Sequence, residues 1–326
     1  MEERGQVDIN SIYKPIQDDL EKVERSLDAV IDVSIPILSE LLQYVLKSGG
    51  KRIRAALTLL SGKFYNYNLE LLIPMATGAE LLHSATLVHD DIVDRSAIRH
   101  GKPTANNVWG EDRALLLGDY LFAKAGSLVA TTKNTRATKL FADTLTIISG
   151  GELRQSDTTF ESKKTRDYYY QWVSAKTASL FVMATESGAT LAQSPEEAVT
   201  ALKEYGYNLG MAFQIVDDIM DFVGDEVVMG KPMGSDLGQG AITLPLILFI
   251  ESYPEDKLIR DAIENGNEQN IATIVEKIKN SPFIDGCLAI ASDFSSRACK
   301  AIEKLPDATT RKTLFDLATF VVQRRK

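Results

Sequence analysis

The pattern Asp-Asp-x-x-Asp occurs twice in the chain, at residues 90–94 and at residues 217–221. Aspartate is unfavourable inside a helix because its side chain competes for nearby backbone groups, and carboxylates four residues apart repel each other. Apolar residues flank both copies, so the charges lie near a core, where they must be paired or must coordinate a metal ion. Mg2+ is usually bound by one or two carboxylates together with substrate phosphates. Two facing copies therefore predict a magnesium site for a diphosphate, whereas a single copy would more often be a solvated helix face. The predicted metal ligands, which are also predicted catalytic residues, are Asp90, Asp91, Asp94, Asp217, Asp218 and Asp221.

Two other segments could act on the same diphosphate. Gly49 and Gly50 precede Lys51 and Arg54, and the free N–H groups of a helix N-terminus attract anions. A helix C-cap followed by a solvated basic turn explains this pattern equally well. The glycine-rich segment 224–240 follows the second acidic copy and predicts a loop that closes as a lid.

All three histidines lie near the first acidic copy, at His83, His89 and His100. A zinc site is one interpretation, but His83 and His89 are six residues apart instead of four, and no cysteine is near. We therefore expect these two side chains to donate hydrogen bonds close to the acidic site.

Helical periodicity dominates the chain, and strand-like alternation is nearly absent. No proline lies between Pro103 and Pro195, a span that can hold long helices. Ser194, Pro195 and Glu197 match the residue preferences of a helix start. Further helical patterns cover about 18–47, 51–62, 69–94, 111–131, 135–157, 167–191, 239–252, 255–265, 268–279, 283–303 and 307–325. No linker divides the chain, so residues 1–326 are predicted to form one all-α domain, a single bundle of about ten to twelve mostly antiparallel helices.

Composition disfavours several classes of function. The net charge of −9 argues against nucleic acid or an anionic membrane surface as the main partner. Cys287 and Cys299 form neither a disulfide framework nor a metal site, as expected in a reduced compartment. The first residues lack the apolar core of a signal peptide, and the longest apolar run, at 244–250, is far shorter than the ~20 residues of a membrane span. We expect a cytoplasmic protein without a transmembrane segment.

Further motifs accompany the acidic copies in a fixed order. Residues 49–54 read Gly-Gly-Lys-Arg-Ile-Arg, residues 80–94 lead into and include the first acidic copy, and residues 99–104 read Arg-His-Gly-Lys-Pro-Thr. The remaining motifs are Gly118-Asp119, Glu152, Lys176-Thr177, Phe213-Gln214, Gly230-Lys231, Gly234, Asp236-Leu237 and Thr243-Leu244-Pro245-Leu246. From about residue 45 onwards, this series resembles the trans-type isoprenyl diphosphate synthases, or polyprenyl synthetases, and most of all their octaprenyl-type bacterial members.

The resemblance implies an isoprenoid synthase fold, with the helices around a central cavity, and a prenyltransferase that uses two or three Mg2+ ions. Residues implied to hold the allylic diphosphate are Arg99, Lys176 and Lys231, and Lys176 is also counted among the catalytic residues. Residues implied to hold isopentenyl diphosphate are Lys51, Arg54, His83 and His100. Thr177 and Gln214 are implied at the substrate site by the motifs to which they belong. The resemblance also implies a homodimer packed through helices, with at most peripheral membrane contact for product release.

Two positions depart from the family pattern. His100 stands where a second arginine is usual, and Ala241 stands where many members have lysine. Both departures predict weaker diphosphate binding, because guanidinium forms a bidentate fork with phosphate that imidazole cannot form.

Product length depends on the residues one helical turn before the first acidic copy, where the growing chain should run down the helix. These residues are Ala85 and Thr86, whereas short-chain members of the family place an aromatic ring there. The small Ala85 predicts a product longer than farnesyl, in the geranylgeranyl to octaprenyl range. Phe141 falls near the place where long-chain members have a deeper floor.

Two alternative functions are compatible with parts of the sequence. A class I terpene cyclase shares the helical bundle and one acidic motif, but its second metal motif is normally of a different type, and Lys51 and Arg54 would be idle in it. A non-catalytic partner subunit of a heteromeric synthase usually loses one acidic motif, and both motifs are intact here.

Overall fold

The structure is a computed structural model that describes residues 8–99, 101–157, 165–224, 233–254 and 268–324. The sequence predictions that lie outside the described residues are His100, Lys231, residues 225–232 of the lid segment and the helix at 255–265.

The described residues are almost entirely helical. The helices are α1 (Ile9–Tyr13), α2 (Gln17–Ile31), α3 (Pro36–Leu46), α4 (Ile53–Gly62), α5 (Leu69–Val93), α6 (Ala105–Trp109), α7 (Glu111–Thr131), α8 (Thr135–Asp157), α9 (Arg166–Val173), α10 (Ser179–Leu191), α11 (Glu196–Val223), α12 (Ser235–Gly238), α13 (Leu244–Ser252), α14 (Glu268–Lys279), α15 (Phe283–Ala301) and α16 (Ala308–Gln323). A 3-10 turn at Lys14–Ile16 joins α1 to α2, and a π-helical turn at Ser174–Ala178 joins α9 to α10. Two short antiparallel strands, β1 (Ile98–Arg99) and β2 (Lys102–Pro103), form a hairpin after α5.

The helix predicted over about 18–47 is divided in the structure into α2 and α3. Ile35 has an extended backbone, because a residue before proline is disfavoured in the α conformation. Pro36 then occupies the first position of α3, where its missing N–H would have no partner in any case. Proline therefore marks a helix boundary that periodicity alone did not show.

The core lies around α5, which packs against α2, α4, α7 and α10. Every residue of α4 is buried, as are most residues of α10. A second cluster of buried apolar residues joins the C-terminal half of α11 to α13, α14 and α15. The two acidic motifs therefore lie on helices that the core fixes in place, at the end of α5 and near the end of α11. The prediction that residues 1–326 form one domain stays a prediction.

Among the described residues, two helices are long and apolar enough to cross a membrane by length and composition alone. Neither contains a long uninterrupted apolar run. The apolar window of α5 is 72% buried inside the bundle, and that of α7 is only 33% buried. The burial of α5 is that of a core helix, whereas α7 presents an apolar face on the surface of the chain. Leu115 and Leu116 lie on that face and are exposed.

Candidate active site

The first acidic motif occupies the last turn of α5, and its three carboxylates have different surroundings. Asp90 is partly buried, and its Oδ2 lies 3.6 Å from Nζ of Lys176. Asp91 is buried and accepts a hydrogen bond from Nε of Arg99 at 2.8 Å. Burial raises the pKa of Asp91, although the charge of Arg99 opposes the shift. Asp94, at the end of the helix, is exposed.

Lys176 holds the first motif in a charged cluster. Its Nζ lies 2.7 Å from Glu152 on α8, in addition to its contact with Asp90. Burial would lower the pKa of Lys176, but the negative charges of Asp90 and Glu152 outweigh burial and hold that pKa above its ordinary value. The side chain is therefore a permanent cation beside the first motif.

The second acidic motif lies in the last two turns of α11 and is more enclosed than the first. Asp217 keeps 45% of its side chain exposed and accepts a hydrogen bond from Nη2 of Arg324 at 2.7 Å. Arg324 follows α16, and its guanidinium lies 3.8 Å from the centroid of the Phe213 ring. The end of the described chain is thereby fastened to the second motif.

Asp218 and Asp221 are both almost fully buried and are bonded within the protein. Asp218 accepts hydrogen bonds from the Tyr169 hydroxyl at 2.5 Å and from the Gln214 amide at 2.8 Å. Burial raises the pKa of Asp218 well above its usual range, against the opposing effect of the Tyr169 hydrogen bond. Asp221 accepts from the Ser235 hydroxyl at 2.9 Å and from the backbone N–H of α12. These two carboxylates connect α11 to α9 and α12.

The π-helical turn at 174–178 joins the two acidic helices. Lys176 contacts Asp90 on α5, and the next residue, Thr177, donates a hydrogen bond to Oε1 of Gln214 on α11 at 2.6 Å. A π-helical turn admits one extra residue and often occurs at functional sites. Here it directs two successive side chains to different helices.

The basic segment 51–54 at the start of α4 contains three cations whose surroundings differ. Arg52 is held by Glu24 at 2.6 Å and lies 3.9 Å from Glu80, whose carboxylate accepts from the N–H of Ala55. Arg54 is buried, and its Nε has no hydrogen-bond partner in the structure. Its guanidinium lies 5.2 Å from the ring centroid of Phe181. A buried guanidinium N–H of this kind is suited to an anionic ligand.

Lys51 shares its surroundings with the second acidic motif. Partial burial and the charge of Arg324 lower the pKa of Lys51, and Asp217 opposes the shift. Its Nζ also lies 5.4 Å from the ring centroid of Phe320 on α16. The structure therefore brings the predicted cation site next to the predicted metal site, although the two lie far apart in sequence.

Two of the predicted chain-length residues, Ala85 and Thr86, lie on different sides of α5. At about 100° per residue, Ala85 shares a helix face with Gly78 and His89, which both contact α7. Ala85 is fully buried, whereas Thr86 lies on the side of Asp90 and keeps slight exposure. Phe141 is also buried, with its ring against α7 beside Gly126. His83 is partly buried on the same helix. The roles of these residues stay predictions.

Sequence patterns did not show how several residues hold the site together. Glu152 and Asp236 belong to matched motifs, but their residue types did not show which groups they contact. Glu152 pairs with Lys176, and the backbone N–H of Asp236 donates to Asp221. Tyr169 and Arg324 carry no spacing signal, because helix packing brings them to α11 from distant parts of the chain.

The carboxylates that face the site fit a hard divalent cation that arrives with a diphosphate. Asp94 is exposed, Asp217 keeps 45% of its side chain exposed, and Asp90 keeps 14%. Within the part of the chain that the structure describes, no three carboxylates, imidazoles or thiols are gathered closely enough to hold a metal ion by themselves. Mg2+ matches this arrangement, since it keeps several waters and takes the rest of its ligands from one or two carboxylates and substrate phosphates.

Comparison with known proteins agrees with this geometry. The family described as Polyprenyl synthetase matches residues 35–279. The heptaprenyl diphosphate synthase component 2 of Geobacillus stearothermophilus is 34% identical over 97% of this chain and 99% of its own length. The octaprenyl diphosphate synthase of Haemophilus influenzae is 32% identical over 99% of each chain. A crystal structure of a polyprenyl synthase from Caulobacter crescentus, complexed with calcium and isoprenyl diphosphate, has a TM-score of 0.94 at 32% identity, and covers 99% of this chain and 100% of its own.

The chain therefore belongs to the polyprenyl synthetase family. It is a prenyltransferase with the isoprenoid synthase fold, and the predicted fold and enzyme class are both confirmed. Members of this family depend in general on Mg2+. The match covers almost the whole length of relatives that are named as prenyl diphosphate synthases or as a component of one. The synthase prediction is therefore confirmed, and the terpene cyclase alternative is set aside.

Proposed function

We propose that this enzyme adds isopentenyl diphosphate repeatedly to an allylic diphosphate and releases a product in the geranylgeranyl to octaprenyl range. The observation that carries the proposal is the turn at 174–178, which places Lys176 beside the first acidic helix and Thr177 beside the second. The small side chain at Ala85 supports a product longer than farnesyl. Relatives named heptaprenyl and octaprenyl diphosphate synthase support a long product as well.

The allylic diphosphate binds between the two acidic helices in this proposal. Asp90, Asp94 and Asp217 would hold two or three Mg2+ ions, which when bound neutralise the diphosphate and stabilise it as a leaving group. Lys176, a permanent cation in contact with Asp90, attracts the phosphate oxygens as the carbon–oxygen bond breaks. Pyrophosphate leaves with the bonding electrons, and an allylic cation remains. Asp91, Asp218 and Asp221 orient the site through their hydrogen bonds. Arg99 and Lys231 are proposed as further phosphate ligands.

The second diphosphate binds at the start of α4. Arg54 offers a buried N–H group that has no protein partner, and Lys51, His83 and His100 are proposed as further ligands of this diphosphate. The double bond of isopentenyl diphosphate attacks the allylic carbon, a new carbon–carbon bond forms, and a proton is lost to the pyrophosphate. The buried apolar faces of α5, α10 and α11 exclude water that would otherwise capture the cation.

Homodimer formation is proposed through α7. Leu115, Leu116, Ile147 and Leu153 on α7 and α8 are exposed apolar side chains, and apolar patches of this kind mark interaction surfaces. Sedimentation equilibrium at micromolar concentration should give a mass twice that of the chain, and Leu116→Glu should give the monomer mass. A monomer mass for the wild-type protein would count against the dimer.

A cytoplasmic location and peripheral membrane contact during product release are proposed on chemical grounds. The substrates are water-soluble diphosphates, whereas the product carries a long apolar tail.

The activity is tested with purified protein, Mg2+ and the two substrates. Pyrophosphate release should require both an allylic diphosphate and isopentenyl diphosphate, and mass analysis of the dephosphorylated product should show a chain longer than farnesyl. Release with the allylic substrate alone would contradict the proposal.

The partner-subunit alternative has one specific observation in its favour, because the Geobacillus relative is named as component 2. The two intact acidic motifs favour a catalytic chain. If the purified chain is inactive alone and gains activity with a second protein, the heteromeric alternative is correct.

A further inference from the structure

The imidazole of His89 lies directly on the backbone of α7. Its Nε2 is 3.1 Å from the carbonyl oxygen of Leu115, and because a carbonyl oxygen only accepts, Nε2 carries the proton. The same nitrogen is 3.7 Å from Oδ1 of Asp119. The ring also meets Phe122 edge to face, with 5.1 Å between ring centroids. Three residues of α7 therefore hold the residue that directly precedes Asp90.

Gly118 provides the space that this ring occupies. A Cβ at this position would lie 2.1 Å from Nε2 and 2.2 Å from Cδ2 of His89, far inside any permitted contact. Glycine within a helix destabilises it relative to alanine, because glycine loses more conformational freedom on folding. The close approach of the imidazole to the helix backbone gives a physical reason for glycine at this point of α7.

We propose that His89 is a positioning residue, which fixes the last turn of α5 against α7 and so sets the position of Asp90. The inference rests on the proposed role of Asp90 as a metal ligand. The imidazole faces α7, whereas the Asp90 carboxylate faces Lys176, so His89 acts through the backbone and does not touch substrate or metal. A site of this kind requires its groups to be held within about 0.5 Å of the productive geometry.

The test compares two substitutions of His89 that differ in reach. His89→Gln places an amide N–H close to the position of Nε2 and should keep the bond to the Leu115 carbonyl, whereas the side chain of His89→Asn is too short. The Mg2+ concentration that gives half-maximal turnover should stay near the wild-type value in His89→Gln. It should rise about 10- to 100-fold in His89→Asn, as for the loss of other groups that orient a metal ligand. The KM for isopentenyl diphosphate at saturating Mg2+ should stay unchanged in both.

Two glycine variants on α7 provide the matched control. Gly118→Ala should raise the Mg2+ requirement as His89→Asn does, because the new methyl group expels the ring. Gly126→Ala lies on the same helix, where the new Cβ meets only Cε1 of Phe141 at an ordinary 3.6 Å, and should leave the Mg2+ requirement at the wild-type value. The double variant His89→Ala/Gly118→Ala should match His89→Ala alone, since the clash needs both side chains.

The results that would overturn the inference are distinct from those that would overturn the proposed function. If His89→Asn and Gly118→Ala lower the melting temperature but leave the Mg2+ requirement unchanged, His89 is a packing residue only. Equal Mg2+ requirements in His89→Gln and His89→Asn would also exclude the hydrogen bond as the cause, even if Gly118→Ala fails to fold. Normal turnover in Asp90→Ala would instead contradict the proposed metal site itself.

Discussion

The two acidic motifs have the same sequence pattern but different surroundings. In both motifs the first and third aspartates share one face of the helix, and the second lies about 100° away. In the first motif, Asp94 is exposed at the end of α5 and Asp90 is partly exposed. In the second motif, α12 covers Asp221 and leaves Asp217 as the accessible carboxylate. The same spacing therefore leaves two carboxylates at least partly exposed on one helix and one on the other.

The difference shows that a carboxylate in such a motif can have either of two tasks. Asp218 connects α11 to α9 through the Tyr169 hydroxyl, and its partners leave neither oxygen without a hydrogen bond. Asp91 has a similar place in the first motif, since it anchors Arg99 of the hairpin. Buried carboxylates that are bonded within the protein fix the framework, whereas the accessible ones are suited to bind metal.

The largest effect is expected from the accessible aspartate that begins each motif. Asp90→Ala and Asp217→Ala should each lower kcat more than about 100-fold, because each removes a proposed metal ligand where charge develops on the leaving group. Asp90→Ala should leave the melting temperature unchanged or higher, since like charges repel in this cluster. Steady-state turnover and thermal unfolding measure the two effects. Near-normal turnover in either variant would show that Asp90 and Asp217 do not both act as metal ligands.

The second prediction separates framework carboxylates from accessible ones by stability. Asp218→Ala leaves the buried Tyr169 hydroxyl without its acceptor and should lower the free energy of unfolding by about 1–3 kcal/mol. Asp94→Ala, at an exposed position, should change it by less than about 0.5 kcal/mol. Urea unfolding of both variants makes the comparison, with Tyr169→Phe as the control that removes only the hydroxyl. If Asp218→Ala proves as stable as Asp94→Ala, Asp218 has no framework role.

The third prediction uses the residues one turn before each motif. Phe213 precedes Asp217 and stacks on Arg324, whereas the small residues Ala85 and Thr86 precede Asp90. Ala85→Phe should shorten the product to farnesyl or geranylgeranyl diphosphate, with a turnover number close to that of the wild-type enzyme. Because Ala85 is fully buried, the new ring could instead only overpack the core. Overpacking would lower the free energy of unfolding by about 1–3 kcal/mol and leave the product length unchanged.

Thr86→Phe gives an independent version of this test, since it projects on the side of Asp90. Mass analysis of the product and thermal unfolding distinguish a length limit from overpacking. Phe141→Ala should act in the opposite direction and lengthen the product. An unchanged long product from folded, active Ala85→Phe and Thr86→Phe would exclude this turn as the length limit.

The smallest effect is expected at His100, next to the arginine that Asp91 anchors. His100→Arg should lower the KM for isopentenyl diphosphate by a factor of a few, because guanidinium binds phosphate in a bidentate manner. It should also flatten the dependence of KM on pH between about 6 and 8, where histidine titrates and arginine does not. Lys51→Ala provides a reference for losing a cation from the same site. An unchanged KM and pH profile would remove His100 from that site.

The sequence alone determined the helical architecture, the doubled acidic pattern and the class of chemistry. Periodicity defines a helix because its apolar side chains must face a core, and the combination of acidic and basic motifs was specific enough to indicate the family. Spacing also fixed the angle between aspartates around each helix.

Only the tertiary structure decided which neighbour covers each face of those helices. Ser235 covers Asp221, Tyr169 bonds to Asp218, and Arg324 reaches Asp217 from the far end of the described chain. None of these contacts follows from local pattern, because spacing sets the direction of a side chain on its own helix but not the element that packs against it. The break between α2 and α3 has a different cause, since a local proline effect there overrode an apolar period that continued through it. The division of identical aspartates into exposed carboxylates and buried, hydrogen-bonded carboxylates is therefore a property of helix packing.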